Sequence, residues 1–460
     1  LGAEAAEQLV LVQKLYRLDR YLDEKVRYLL ILLIVLVLAV PLSLVFLSTG
    51  SILKIDPPVT TIGASTPIQV RIENPHGIRH FTAALEQNGA RYTVADEHET
   101  PHRFMFWRSR LGPQIRHFLA GKQQAASLHD GKARLIVEVE SNDLRGSTDS
   151  VESDVQVVLQ PPRVSADGAQ HYINQGGSEL VVFSPSGYVT DSGVRVGKYE
   201  FRSFPHPTQQ GQRFSLFAYP WDLAADVVPV VFVRNPAGAE ATARFWYKIF
   251  PKKFRSRDIE IDDKFLDKVV NQIDPSGSGD LLARFLKING ELRRQNNKTL
   301  ADLRLKTADH FLWSGPFLPL MNAAVESNFA DKRSYIYKGK KVDEQVHLGF
   351  DLAVTLHVSV PAANDGRVVW AENLGIYGNC VVVDHGYGLQ SIYGHLSEFA
   401  VKAGDTVKKG QSLGKSGSTG LAGGDHLHFS MQVDGVQVNP IEWWDQHWIK
   451  DRILSKVNAQ

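Results

Sequence analysis

The sequence predicts a mainly β chain: an N-terminal transmembrane helix, two immunoglobulin-like β-sandwich modules, a helical hairpin and a C-terminal antiparallel β domain. Three observations predict it. Leu29 to Leu47 (LLILLIVLVLAVPLSLVFL) carries no charge. From Ile55 to Phe250, and again from Phe317 to Trp444, short runs alternate apolar and polar residues between Gly, Pro, Asn and Ser, the period-two signature of strands. Between these regions, from Asp262 to Phe311, the apolar spacing lengthens to that of helix faces.

Residues 1–50 form the expected cytoplasmic segment and membrane span, because the uncharged run is long enough to cross a hydrocarbon core about 30 Å thick. Lys14, Arg17, Arg20, Lys25 and Arg27 precede it, and the first basic residue after it is Lys54. The positive-inside rule therefore places the N-terminus in the cytoplasm and the bulk of the chain in the periplasm or extracytoplasmic space, as a single-pass protein of the cytoplasmic membrane. The run exceeds the about 7–15 apolar residues of a signal peptide, and no A-x-A pattern follows, which favours an uncleaved anchor.

Residues 51–160 and 161–255 are expected as the two sandwich modules. IQVRI (Ile68 to Ile72), RLIVEVE (Arg134 to Glu140), DVQVVL (Asp154 to Leu159) and VVFVRN (Val230 to Asn235) are strand runs. Asp56-Pro57-Pro58 and Gln160-Pro161-Pro162 open similar segments about one sandwich domain apart. These modules carry no catalytic constellation and suit a spacer, or a surface for envelope protein partners. The basic stretch KIFPKKFRSR (Lys248 to Arg257) reads as a solvated linker. Residues 256–315 then hold the hairpin, with a short first helix, a turn at Pro275-Ser276-Gly277 and a longer second helix carrying Leu281, Phe285, Leu292, Leu300 and Leu303.

Charge narrows the partners: Lys and Arg total 51 against 50 Asp and Glu, a net of +1, which argues against nucleic acid held by bulk charge. The single cysteine, Cys380 in GNCVVV, has no intrachain partner for a disulfide and reads as a small core residue. GQSLGKS (Gly410 to Ser416) is one residue short of a phosphate-binding loop and is followed by Gly417-Ser418-Thr419-Gly420 instead of a helix. His385, in the expected hairpin turn between two strands, and His357 are read as structural.

Chemistry concentrates in residues 316–460. In GDHLHFSMQV (Gly424 to Val433) the polar register holds His426, His428, Ser430 and Gln432, and the apolar register Leu427, Phe429, Met431 and Val433. Two imidazoles thus project from one strand face, about 7 Å apart at their roots. VHLGFDLA (Val346 to Ala353) repeats the grammar, with His347 and Asp351 on one face of an extended segment, and His395 follows another strand in YGHLS. A catalytic Zn²⁺ site keeps three protein ligands of the His and carboxylate type and leaves a position open. Asp351 with two imidazoles fits that set, and four histidines compete for the two places; the remaining two would handle protons.

The ordered motifs HLGFD, YGHLS and GDHLHF, with SGSTGLAGG (Ser416 to Gly424) before the last, resemble the M23 or LytM-type zinc metallopeptidases, which include lysostaphin-like enzymes. The resemblance runs from about Asn322 to Trp444. It implies the family's antiparallel β fold (a duplicated hybrid motif), one Zn²⁺ held by His347, Asp351 and His428, and catalytic roles for His395 and His426. It also implies zinc-dependent hydrolysis of the peptide cross-links of bacterial peptidoglycan during cell-wall remodelling. Three other readings compete. A LytM-type regulator of other wall hydrolases would lack ligands that are present here. A D-Ala-D-Ala carboxypeptidase would need an acidic residue better placed than Asp425, and a lipoyl-type carrier, suggested by VKAGDTVKKGQSLG (Val401 to Gly414), would need an exposed modifiable lysine in place of the His/Asp cluster.

Overall fold

A computed structural model describes residues 2–101 and 110–457, in two compact units, Leu1–Gln160 and Pro161–Gln460. The first begins with one helix, Gly2–Leu47. Its segment Asp23–Leu47 has a mean hydropathy of 3.2 and buries none of its residues. At about 1.5 Å per residue this segment is longer than the hydrocarbon core is thick, so the helix is long and apolar enough to span a membrane.

Among the described residues the remainder of this unit forms two sheets. One is three-stranded (Ile52–Ile55, Thr66–Glu73, Gln114–Ala120); the other runs in the order Thr61–Ile62, Thr148–Val157, Gly131–Ser141, Ile78–Gln87, Ala90–His98. Ile68, Val70 and Ile72 from the first join Phe81, Leu85, Leu135, Val137 and Val157 from the second in one core. The intervening Arg71 and Glu73 stay exposed, as period-two alternation requires.

The second unit opens with two four-stranded sheets and a parallel strand pair, His171–Asn174 with Tyr247–Phe250. Their core, rich in Phe183, Phe201, Phe214 and Phe217, is continuous with Trp313, Tyr387 and Trp443 further along the chain. The basic stretch expected as a solvated linker is in part a strand. Ser256–Ile261 pairs parallel with Asp331–Tyr337, Arg255 Nε donates to Asp331 at 3.1 Å, and Arg257 donates to the Glu326 carbonyl at 2.7 Å. Charge run and linker were equated in the sequence because the carboxylate and carbonyl that receive these guanidiniums lie some seventy residues away.

An eight-stranded, antiparallel sheet dominates the C-terminal half, in the order Ala324–Ser327, Phe350–Ala353, Leu427–Val433, Leu389–Leu396, Asn379–Asp384, Gly366–Asn373, Thr406–Val407, with Val436–Val438 also paired to Leu427–Val433. The helices Asp263–Ile273 and Leu281–Lys287, the latter continuing to Asp302, are started by Asp262 and Asp280, whose carboxylates accept from Phe265 N and Ala283 N. Their Leu266, Val270, Phe285 and Leu300 pack on Cys380 and Val382, while Val381 and Val383 of the same strand point into the other core. The unbroken apolar run CVVV is thereby explained: this strand is buried on both faces.

The C-terminal helical turns return to the unit's first sheets. Trp443, Ile453 and Val457 are fully buried, Lys456 Nζ donates to Glu179 at 2.8 Å, and Glu442 accepts from Asn174 Nδ2 and Ser178 N, each at 2.8 Å. Burial outweighs these donors and pushes the Glu442 carboxyl up to about 7. An acid raised in the folded state binds its proton more tightly there than when unfolded. Its contribution to stability is therefore full below the ordinary value of about 4.3 and is lost as pH climbs through about 7. Thermal unfolding should show E442Q gaining on the wild type by several degrees between pH 5 and pH 8; parallel curves would contradict the assignment.

Candidate metal centre

Strand register brings the polar residues together. Phe350, Asp351 and Leu352 lie opposite Phe429, His428 and Leu427, so Asp351 and His428 are direct cross-strand neighbours. His347 arrives differently from the expectation of one extended segment shared with Asp351. It ends the strand Lys340–His347 of a separate three-stranded sheet, and the chain turns at Leu348-Gly349 before entering the large sheet at Phe350. Gly349 is required at that turn, since a Cβ there would sit 2.7 Å from the His428 ring and from the Phe429 carbonyl.

Three lone-pair atoms meet at the result. His347 Nε2 is 2.9 Å from Asp351 Oδ1 and 2.9 Å from His428 Nδ1, and His428 Nδ1 is 3.2 Å from Asp351 Oδ1. Donor atoms bonded at about 2.0–2.1 Å to one tetrahedral ion lie roughly 3.3 Å apart, close to this triangle. His347 Nδ1 donates to the Asn328 carbonyl at 3.1 Å, which leaves its Nε2 as an acceptor facing the other two residues. The buried Nε2 of His428 has no hydrogen-bond partner, so the network leaves this imidazole incompletely satisfied. Acceptors crowded together in a buried place call for a shared cation, and two imidazoles with one carboxylate fit Zn²⁺.

Electrostatics agrees with that donor set. Burial lowers His347, and lowers His428 to about 4, so both rings are neutral at pH 7. Burial alone would raise Asp351, but His347 and the hydrogen bonds around it hold the carboxylate well below its ordinary range.

His395 and His426 lie at the edge of the triangle. Their rings are 4.8 Å apart, and His395 is 5.8 Å from His428. His395 Nδ1 donates to the Thr419 carbonyl at 2.8 Å and His426 Nδ1 to the Gly424 carbonyl at 2.9 Å, so the glycine-rich segment before HLH orients both rings. His395 holds φ +63, an uncommon backbone state for a residue with a side chain and one that recurs where a ring must be aimed. Burial together with His426 and His428 keeps His395 well below its ordinary value. His426 is raised: burial opposes the proton, but the Asp351 carboxylate, 3.4 Å away, favours it. All five side chains line a groove of about 600 Å³.

Two neighbours had no signal in the sequence. Arg333 Nη2 donates to Asp351 Oδ2 at 2.6 Å, leaving Oδ1 to the histidines. Tyr377 stacks edge-on against His428 at 5.4 Å and donates its hydroxyl to Asn297 at 2.8 Å. Both follow from pairings between distant segments. Tyr335 also lines the groove, its ring edge-on to Phe285, while the Tyr337 hydroxyl donates to Asp263. His385 is a buried structural residue, between the Asp365 carbonyl and Ser391 Oγ at 2.7 Å each.

Residues 345–440 match the model of Peptidase family M23. A Haemophilus influenzae protein described as an uncharacterized metalloprotease is 39% identical over 120 residues, 26% of this chain and 25% of that protein. The peptidoglycan DD-endopeptidase ShyA of Vibrio cholerae is 38% identical over 120 residues, 26% of this chain and 27% of that protein. The chain thus spans about a quarter of the length of the curated relatives it matches. The catalytic domain of lysostaphin from Staphylococcus simulans aligns with 31% of this chain and 94% of its own at 28% identity, with a TM-score of 0.20.

Because Arg333 fixes which carboxylate oxygen faces the imidazoles, R333A should weaken Zn²⁺ binding by about 10- to 100-fold, measured by competition with a chromogenic chelator. Unchanged affinity would show that Asp351 is oriented without it.

Proposed function

We propose, from a segment, residues 345–440, that belongs to peptidase family M23, that this chain is a zinc-dependent metalloendopeptidase acting on the peptide cross-links of bacterial peptidoglycan. The observation that carries the reading is the convergence of His347 Nε2, Asp351 Oδ1 and His428 Nδ1 in a groove that also presents His395 and His426. The peptidoglycan endopeptidase named among its relatives supports the substrate class. The N-terminal apolar helix supports attachment to the cytoplasmic membrane with the groove on the outer side.

His347, Asp351 and His428 would hold the ion. Zinc so bound supplies Lewis acidity toward a peptide carbonyl and toward water. The chain's own residues then divide the proton work. His395, neutral and fixed through Nδ1, offers the Nε2 lone pair as a base for the proton of the attacking water. His426, on which Asp351 favours a proton, donates from Nε2 to the oxyanion or to the departing amine. His395 takes one proton from water and His426 gives one to the amine; passage of the proton from His395 back to His426, whose ring lies 4.8 Å away, restores both groups and balances the hydrolysis. Tyr377, pinned by Asn297, walls the groove beside His428.

Zinc content and turnover should separate these roles. H428A should lose both tight zinc binding at this site and the release of peptide fragments from purified sacculi. H395A and H426A should each keep about one zinc per chain at this site while turnover falls at least about 100-fold. Sacculi undigested by a zinc-loaded wild-type protein, across wall types, would instead favour the regulator.

A further inference from the structure

We propose that the first unit carries a second site for a divalent transition-metal ion, formed by His80, Asp96 and His98 on the outer face of its five-stranded sheet. His80 lies in Ile78–Gln87 and the other two in the edge strand Ala90–His98. His80 and His98 are direct cross-strand partners, and Asp96, two residues before His98, emerges on the same face.

The three side chains converge. His80 Nε2 is 2.7 Å and His98 Nε2 3.5 Å from the same Asp96 Oδ1, and the two rings stack at 4.1 Å with 9° between their planes. One donor atom from each residue lies within 4.8 Å of the others. An irregularity in the ladder helps to aim His80: pairing to the neighbouring strand passes from Ile78 opposite Ser141 directly to His80 opposite Glu140, leaving Arg79 as a bulge. Phe81 and Ala83 point to the core on the opposite side, and the neighbouring carboxylates Glu97 and Glu99 are turned to Arg116. Asp96 is thus the carboxylate assigned to the imidazoles.

Two imidazoles and one carboxylate select Zn²⁺, Cu²⁺ or Ni²⁺ over Ca²⁺ and Mg²⁺, which prefer oxygen donors throughout. His80 is half-buried and Asp96 and His98 are exposed, so protein ligands occupy one side and the remaining positions open to solvent. The turn of this hairpin is at Asn88-Gly89, and the site closes its opposite, open end. A bound ion would therefore tie the edge strand to its neighbour at the last residue pair of the ladder.

The test uses the full chain without a histidine tag, stripped with a chelator and dialysed against Zn²⁺ alone, with bound metal counted by mass spectrometry. The wild type should hold two ions per chain, the H80A/H98A double variant one, and H428A one. Cell-wall hydrolysis by H80A/H98A should match the wild type. D96N, which keeps the fold of the solvent face, should weaken the second site at least about tenfold. With one equivalent of Cu²⁺ added to H428A, electron paramagnetic resonance should report two nitrogen ligands, absent in H80A/H98A/H428A. Wild type and H80A/H98A with equal zinc content and equal affinity would overturn the proposal. A wild type whose only ion is lost in H80A/H98A and kept in H428A would uphold it while overturning the zinc peptidase reading.

Discussion

The pairing of Phe350–Ala353 with Leu427–Val433 is the constraint on which the site depends. A slip of one residue would send Asp351 and His428 to opposite faces. Apolar neighbours, not the site residues, hold the register. Leu427 and Phe429 are 2% exposed, and Phe429 lies against Tyr393 at 5.4 Å and Trp444 at 5.8 Å. Each such side chain contributes about 1.5–3 kcal/mol on burial. The other face of the strand can then carry an uncomfortable group of buried imidazoles and a carboxylate, because a slip that relieved them would expose the anchors.

The surrounding elements complete the groove without entering its centre. The helices cover one face of the large sheet and reach the groove wall through two asparagines. Asn296 Oδ1 accepts from Ile376 N and Asn297 Oδ1 from the Tyr377 hydroxyl, at 2.9 and 2.8 Å. Lys268 adds a contact to the carbonyl of Gly423, in the loop that orients His426. At the other end, Arg333 reaches Asp351 from a strand of the smaller sheet. The helices and the smaller sheet therefore brace the groove from two sides, the former through its wall and the latter through Asp351.

Local periodicity made much of this legible in advance. The alternation in HLHFSMQV marks a strand that the structure contains as Leu427–Val433, and the helical spacing after Asp262 marks Asp263–Ile273 and its successor. The hairpin around His385 to Gly388 and the turn at Asp434-Gly435 were also readable, since glycine and aspartate there accept positive φ. What eluded the sequence depends on pairings between distant segments. His347 and Asp351 meet across a turn between two sheets, although alternation alone suggested one straight segment. Arg333 and Tyr377 gain their positions from partners they meet only in the folded chain, and Arg255 and Arg257 turn a presumed linker into an edge of the smaller sheet. Residue type announced the histidines and the aspartate; nothing local announced what holds them.

Anomalous diffraction at the zinc edge, from crystals of the chelator-stripped protein returned to Zn²⁺, tests the central claim most directly. The account predicts a peak at about 2.0–2.2 Å from His347 Nε2, Asp351 Oδ1 and His428 Nδ1, with His395 and His426 outside bonding distance. A peak bonded to His395 or His426 in place of one of those three, or no peak in the groove at full zinc loading, would contradict it.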